Sequence, residues 1–282
     1  MSRPIVQVVI PVYNSAKYIR RCLDSLIGQT YTEWNAIIID DSSSDNSVEI
    51  IKEYQQKDSR ITLFAFEKNQ GVSKVRNFAF EKLSEKYTAF LDSDDYWEKD
   101  MLEVMVNKAE EDEYDVVQCR FIYDYTGGRQ VLPAGVFKND VRIDKSDIKK
   151  IYYKMATGIN MNHVCMKLIR TEIIKDLRFD ASLKTAEDLQ FCVKLFCSVE
   201  KYYFINKAFY HYCRNEDSLT GKGIDGKEKL KSNCKVSKDM INAVSKLGIG
   251  TPLLKLLCIL RPYNIVISKV FRMIMEKLFS QK

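Results

Sequence analysis

The chain holds two histidines, two tryptophans and five prolines in 282 residues, and no Cys-x-x-Cys pair occurs among its eight cysteines. Two histidines are too few for a Cys/His zinc site, and the cysteines at 22, 119, 165, 192, 197, 213, 234 and 258 are scattered. Several stand in apolar contexts, such as Phe191-Cys192 and Phe196-Cys197, and read as small core residues in a reducing cytosol. No uninterrupted apolar run is long enough to span a bilayer. The N-terminus runs straight into a strand, with no signal-peptide pattern. Internal repeats and low-complexity tracts are absent. Strong charge imbalance is absent too: the net charge is +6, concentrated in Lys222 to Lys238 and in the last thirty residues. That placement suits an acidic partner or an anionic membrane surface, and speaks against a nucleic-acid groove. With 46% hydrophobic and 29% charged residues, the composition is that of a globular protein able to bury a sizeable core.

What is present is an alternation. Ile5 to Ile10 is β-branched and apolar, a buried strand ended by Pro11-Val12-Tyr13-Asn14. Asn14 or Ser15 is placed to cap a helix through Leu26. A second buried strand, Trp34 to Ile39, runs into the polar loop Asp40 to Ser47, and a helix follows through Tyr54. Ile61 to Phe66 is a third strand, and Asn69 to Asn77 opens another helix. A fourth apolar run ends at Asp92. This order predicts an α/β fold with a mostly parallel sheet and helices on both faces. After Trp97 the pattern changes. We expect a helix over Asp100 to Glu111, a long strand over Asp115 to Tyr125 and a hairpin turn at Gly127-Gly128. Short helices at Ser146 to Met155 and Thr171 to Lys175 follow. Thr185 to Ser198 reads as an amphipathic helix with Leu189, Val193 and Phe196 inward, and Lys201 to Tyr212 as an aromatic strand. Gly221, Gly223 and Gly226 mark a connection to a helix over Glu228 to Leu247.

The chemistry gathers at strand ends. Asp92, Asp94 and Asp95 put three carboxylates within four residues, directly after an apolar run. Such a cluster is costly unless a cation shares it. Hard oxygen ligands favour Mg²⁺ or Mn²⁺, which favour phosphates. Asn14 and Asp40-Asp41 stand at two other strand ends, where an open α/β sheet binds ligands. An Asp there can accept from a base N–H or a ribose hydroxyl. Lys74 and Arg76 lie early in a helix, a place that suits a diphosphate. The bland alternatives are a solvated acidic turn, a helix cap at Asp40, and a helix N-terminal cap for Glu187-Asp188. His163 can touch an acceptor or simply line a loop; Tyr96 and Trp97 can stack on a sugar or fill the core.

Four stretches resemble, as a set, the family 2 inverting glycosyltransferases of the GT-A fold, of the bacterial surface-polysaccharide type. They are Val9-Ile10-Pro11-Val12-Tyr13-Asn14, Asp40-Asp41-Ser42-Ser43-Ser44-Asp45, Asn69-x-Gly71-x-x-x-x-Arg76-Asn77 and Phe90-Leu91-Asp92-Ser93-Asp94-Asp95. The resemblance resumes at Phe179-Asp180 and Ala186-Glu187-Asp188-Leu189-Gln190-Phe191. It implies a nucleotide-sugar-binding half over 1–97 and an acceptor-binding, catalytic half of the same GT-A domain over 98–220. A C-terminal helical, basic-amphipathic extension covers 221–282. By the same resemblance Pro11, Tyr13, Asn14, Lys74 and Ser93 belong to the nucleotide-sugar site. Asp40 or Asp41 holds the nucleobase, usually uracil; Arg76 approaches the diphosphate; Asp92 faces the ribose. Asp94 binds Mn²⁺ or Mg²⁺ with Asp95 in support, and Asp188 is the catalytic base beside Glu187. His211, Arg214 and Ser218 resemble a segment that closes over the diphosphate or metal, and Glu187 stands beside the base on the acceptor side; Trp97 and His163 are acceptor candidates on their residue types alone, apart from the resemblance. Two positions depart from the family pattern. Ser42 stands where Gly is usual, and Cys213 where Arg is frequent, with Arg214 beside it as a substitute.

The implied reaction is metal-dependent hexosyl transfer from a nucleotide sugar, UDP-linked, to a hydroxyl of a glycan, lipid-linked, in synthesis of O-antigen, capsule or teichoic-acid-type polymer. A lone base with no nucleophilic carboxylate suits direct displacement with inversion. The implied location is cytoplasmic, peripheral on the inner face of the cytoplasmic membrane. The competing reading is a non-catalytic nucleotide-sugar-binding scaffold, against which Asp188 weighs, since a module that only binds has no use for a base. A nucleotidyltransferase would carry a Gly-rich, Lys/Arg-bearing loop after its first strand, and Pro11-Val12-Tyr13-Asn14-Ser15 is not one. Pro252 to Phe279, apolar with interleaved cations, is either a helical pair packed on the domain or an element lying in the membrane interface, 252–282.

Overall fold

The computed structural model describes residues 3–158, 161–214 and 225–263. Ser218, the predicted connection at Gly221 and Gly223, and the second half of the predicted C-terminal helical pair lie outside these residues.

The alternation read from the sequence is present from β1 to β4. The elements are β1 (Val6–Val12), α1 (Ile19–Ile27), β2 (Trp34–Asp40), α2 (Ser47–Lys57), β3 (Ile61–Ala65), α3 (Val72–Phe80) and β4 (Tyr87–Phe90). All seven residues of β1 are buried, as expected of a strand covered on both faces. The four strands pair in the order β3-β2-β1-β4, all parallel. Register pairs Val12 with Asp40 and Val9 with Phe90. The residues that follow β1, β2 and β4 therefore emerge together at one edge. α1 buries Ile19, Cys22, Leu23 and Leu26, the spacing of a single helical face. It begins four residues later than the expected cap at Ser15. Asn14 instead adopts a left-handed φ of 48°, and Ser15 closes a turn by accepting the N–H of Tyr18 and Ile19.

Beyond β4 the predicted mostly parallel character gives way to a mixed sheet. The elements here are β5 (Tyr96–Trp97), α4 (Met101–Glu111), β6 (Val116–Tyr125), β7 (Arg129–Val131), β8 (Val141–Asp144), α5 (Lys149–Ala156), β9 (Lys167–Arg170), α6 (Glu187–Ser198) and β10 (Lys201–Arg214). β9 runs antiparallel to both β4 and β6, which joins the two halves into one sheet of ten strands among the described residues. β6 and β10 are parallel, while β5, β7 and β8 pair antiparallel at their flanks. For β7 the reason is connection length. A parallel return needs a crossover of about a dozen residues, and Gly127-Gly128, both left-handed, turn the chain back at once into β7. Thr171 to Ile174 forms a 3-10 turn and not an α-helix.

α6 buries Leu189, Val193 and Phe196 as predicted. Beneath it Phe80, Phe90, Phe179 and Phe191 form an aromatic cluster, with Phe179 and Phe191 stacked at 4.3 Å. Such pairs add about 0.5–1.5 kcal/mol beyond area burial. The eight cysteines are all free; Cys197 and Cys234 are half-buried and the other six buried. α7 (Gly226–Lys246) packs on α6, and α8 (Pro252–Leu260) packs on α5 and α7. α8 buries Leu254, Leu257 and Cys258 and leaves Leu253, Leu256 and Ile259 exposed. Among the described residues no helix is long and apolar enough to cross a membrane.

Candidate active site

The edge where β1, β2 and β4 end is built from short polar residues that clasp each other. Asp40 and Asp41 are buried, 1% and 3% exposed. Asp40 accepts from the N–H of Ser43 at 2.9 Å and from its hydroxyl. Asp41 accepts from the N–H of Gln70 at 2.7 Å and of Gly71 at 2.8 Å. This carboxylate thus holds the entry to α3, where Gly71 takes a φ of 89° that a side chain would resist. Asn14 accepts from the N–H of Ser44 at 2.8 Å, and its own N–H donates to Ser43. Ser42 keeps the left-handed conformation, φ 63°, that the more usual glycine supplies without strain. Tyr13 is exposed at this edge, whereas Pro11 is buried within β1 and is a core residue, against the expectation of ligand contact. Lys74 is exposed on the first turn of α3.

The acidic loop divides into separate environments. Ser93 is buried, with its hydroxyl 2.6 Å from that of Ser15, tying the exits of β1 and β4. Asp95 is buried and accepts from the Tyr210 hydroxyl at 2.5 Å and the Cys213 N–H at 2.7 Å. Burial, then the charges of Asp94 and Asp92, push its carboxyl well above the usual range. Asp94 is part-exposed, and its carbonyl accepts from Arg21 at 2.8 Å. Among the described residues no group of three His, Cys, Asp or Glu side chains forms a metal cage. An ion of the Mg²⁺ type needs only one or two protein carboxylates beside substrate phosphates and water. The part-exposed carboxylates of Asp92 and Asp94 are hard oxygen donors of the kind such an ion takes, so these residue types fit a divalent cation.

Arg76 joins the two halves of the site. Its Nη2 donates to Asp92 at 3.0 Å and its Nη1 to Asp188 at 2.6 Å, and its side chain is only 4% exposed. Burial pulls the guanidinium down, but Asp188 and Asp92 outweigh it and hold it well above the ordinary range. Its carbon lies 5.2 Å from the centre of Phe179, so the aromatic cluster fixes its height. The expected approach to a diphosphate is not what its donors serve here. Asp92 also accepts from the Cys165 thiol at 3.1 Å, a thiol kept protonated by burial and by Asp92 itself. Asp188 and Glu187 open α6 just after Ala186, which is held at φ 63°. A strained non-glycine residue at that point aims the first turn. The N-cap position itself is Ala186, with no side-chain cap hydrogen bond, and Glu187 and Asp188 are acids of the first turn. Glu187 is raised, first by burial and then by Asp188.

The remaining expectations fare unevenly. His211 is 5% exposed, with Nε2 2.9 Å from Glu98, Nδ1 3.3 Å from Asp124 and its ring stacked on Tyr96. Its nitrogens face these two carboxylates. Trp97 is buried in β5, a core residue and not an acceptor platform. His163 stands part-buried 5.9 Å from the Phe121 ring and 6.0 Å from Tyr212, and burial lowers it. Arg214 lies over Tyr123 and Tyr212. Sequence reasoning missed Cys165, Tyr210 and Arg21, which no motif marks. Asn77 was within a quoted motif, yet its role was hidden: it exchanges two hydrogen bonds, of 2.9 and 2.8 Å, with the backbone of Phe179.

Comparison with known proteins bears on this geometry. The family model described as glycosyl transferase family 2 matches residues 7–178, more than half of the chain. The uncharacterized glycosyltransferase EpsJ of Bacillus subtilis (strain 168) is 29% identical over 219 residues, 77% of this chain and 63% of that protein. The putative teichuronic acid biosynthesis glycosyltransferase TuaG of the same organism is 42% identical over 101 residues, 36% of this chain and 40% of that protein. The chain thus spans less than two thirds of the length of either. A crystal structure of S. aureus TarS 1-349 in complex with UDP-GlcNAc superposes with a TM-score of 0.71 at 26% identity, covering 84% of this chain and 66% of that one. The mixed sheet and its flanking helices match the GT-A arrangement, and the chain belongs to glycosyl transferase family 2.

Proposed function

We propose that the chain is a metal-dependent inverting glycosyltransferase. It moves a hexose from a UDP-linked donor to a hydroxyl of a glycan acceptor, lipid-linked, in surface-polysaccharide synthesis. The observation that carries this reading is the bridge from Asp92 through Arg76 to Asp188, which sets one carboxylate of the acidic loop and one carboxylate of α6 in a single cleft. The UDP-GlcNAc in the TarS complex supports the donor class, and the biosynthetic role in TuaG's name supports the polymer class.

In this reading Asp40 or Asp41 and the exposed Tyr13 receive the base, Asp92 the ribose, and Lys74 the diphosphate. Asp94, supported by Asp95, holds Mn²⁺ or Mg²⁺, whose charge stabilises the departing diphosphate. Asp188 accepts the proton of the acceptor hydroxyl while that oxygen displaces the diphosphate at the anomeric carbon, inverting it. The charge-assisted bond from Arg76 orients the carboxylate for this step. Glu187 lies beside it on the acceptor side. The exposed Leu253, Leu256, Ile259 and Tyr263 suit a membrane interface, with residues 264–282 of that predicted element outside the described part; co-sedimentation with anionic vesicles reads this directly, and no binding removes it.

The test is a donor screen. Purified protein with Mn²⁺ is offered a panel of nucleotide sugars and release of nucleoside diphosphate is measured. Release from a UDP-hexose is expected; no release from any donor, with or without glycan acceptors, contradicts the proposal.

A further inference from the structure

β6 and β10 are parallel neighbours whose register pairs Phe121 with Tyr210, Tyr123 with Tyr212 and Tyr125 with Arg214. Alternate residues of a strand share a face, so these side chains form one row. The row starts inside the cleft. Tyr210 donates to Asp95 and accepts the N–H of Asp92. His163 lies 5.9 Å from the Phe121 ring and 6.0 Å from that of Tyr212. From there the row runs outward: Phe121 is buried, Tyr123 and Tyr212 are half-buried, and Tyr125 is 38% exposed. Successive rings on β6 are 4.8 and 6.3 Å apart.

Two guanidinium groups edge this row. Arg214 stacks 4.7 Å from the centre of Tyr123 and 5.2 Å from Tyr212, and Arg129 lies 5.5 Å from Tyr125, its cross-strand partner. Among the described residues neither forms an ion pair. The neighbouring carboxylate, Asp124, alternates to the opposite face, where it accepts from Tyr96 and Gln130 and meets His211. A guanidinium stacked on an aromatic face has its plane fixed and its N–H edge left to bond, the arrangement that receives phosphate or carboxylate bidentately. The apolar C–H face of a sugar ring packs on the electron-rich face of a tyrosine.

We propose that this tyrosine row, with Arg214 and Arg129, binds the part of the acceptor beyond its reacting hydroxyl, and that the acceptor is an anionic glycan. The proposal rests on reading Asp188 as the base that faces the acceptor, since the row leads away from that carboxylate. It gives Arg214 a role toward the acceptor in place of the diphosphate role implied by resemblance.

Affinity electrophoresis tests it with three probes: unsulfated chondroitin oligosaccharides for carboxylate, glycerol phosphate oligomers for phosphodiester, and dextran as the neutral control. UDP binding in Mn²⁺ is measured alongside by calorimetry. The full chain is expected to bind at least one anionic probe more tightly than dextran, and which one tells carboxylate from phosphate. Arg129→Gln and Arg214→Gln should each weaken that binding by about tenfold, and Arg129→Gln should leave UDP affinity unchanged. Tyr125→Ala should weaken it too, and Lys149→Gln, the same charge change on α5, should not. Equal binding of dextran, no binding of any probe, indifference to both arginines, or an equal loss in Lys149→Gln each overturns the proposal. A loss of UDP affinity in Arg214→Gln with glycan binding intact also overturns it. Failure of the unmodified chain to bind UDP, by contrast, strikes the donor site and not this row.

Discussion

Arg76 Nη1 lies 2.6 Å from Asp188 Oδ1, although 112 positions separate the two residues. One end of this contact is midway along α3, behind the loop that Asp41 organises, and the other is in the first turn of α6. The same guanidinium holds Asp92, so the position of the α6 carboxylate is set by the strand that carries the acidic loop.

Arg76→Ala should therefore cost about 2–3 kcal/mol of stability, below the roughly 3–5 typical of a fully buried pair because Asp188 and Asp92 retain 19% and 29% exposure. Urea unfolding gives the number. Turnover should fall more than donor affinity, since the variant releases the proposed base while leaving the Asp41 loop in place. Arg76→Lys should recover charge but not the two-armed geometry, and hence little turnover.

Asp94→Asn should abolish Mn²⁺ binding in the presence of UDP, read by the paramagnetic signal of the free ion, and lower transfer by about a hundredfold or more. Chelation of the metal should do the same to the unaltered chain. Retained metal binding in the variant removes Asp94 from that role.

Ser42→Gly should raise stability by about 0.5 kcal/mol, because relief of a left-handed serine outweighs the greater entropy of glycine in the unfolded chain. Ser42→Val should lower it by about 1–2 kcal/mol. Urea midpoints for the pair, moving in opposite directions, are the check; a shared direction means the loop is not strained at this position.

Asp180 ties the loop before α6 to α7 through Lys235 at 2.5 Å. Lys235, then Ser182, hold its carboxyl down at about 2, below its ordinary 3.8. A depressed folded value contributes stability above 3.8 and loses it as pH falls toward 2. Lys235 is half exposed, so the contribution is about 0.5–1 kcal/mol. Lys235→Gln should be less stable than the parent at pH 6 by that amount and converge with it near pH 2; a pH-independent gap contradicts the pairing.

Much of this was legible in the sequence where the signal is local. Apolar runs and the loops after them located β1, β2 and β4, and with them Asp40, Asp41, Asp92 and Asp94. The Glu187-Asp188 pair, in the first turn of a helix, was found only through the family resemblance. The contacts that assemble the cleft were not local. Cys165 reaches Asp92 only because β9 lies beside β4, and Tyr210 reaches Asp95 only through the register of β10 with β5. Burial was equally invisible: Pro11, Ser93 and Trp97 carry residue types suited to ligand contact and are enclosed. Arg76 was recognisable as a cation near phosphates, but its actual partners lie on another strand and another helix. The hairpin turn at Gly127-Gly128 was read, and with it the antiparallel β7; the antiparallel insertion of β9 between β4 and β6, which makes the sheet mixed, has no local signal.

The most direct test of the reading as a whole is Asp188→Asn, assayed for UDP binding by calorimetry and for sugar transfer from the donor that the screen identifies. Unchanged UDP affinity with transfer reduced by about a thousandfold or more is the expected result. Transfer that persists at the parental rate contradicts the assignment of Asp188 as the base on which the proposed mechanism depends.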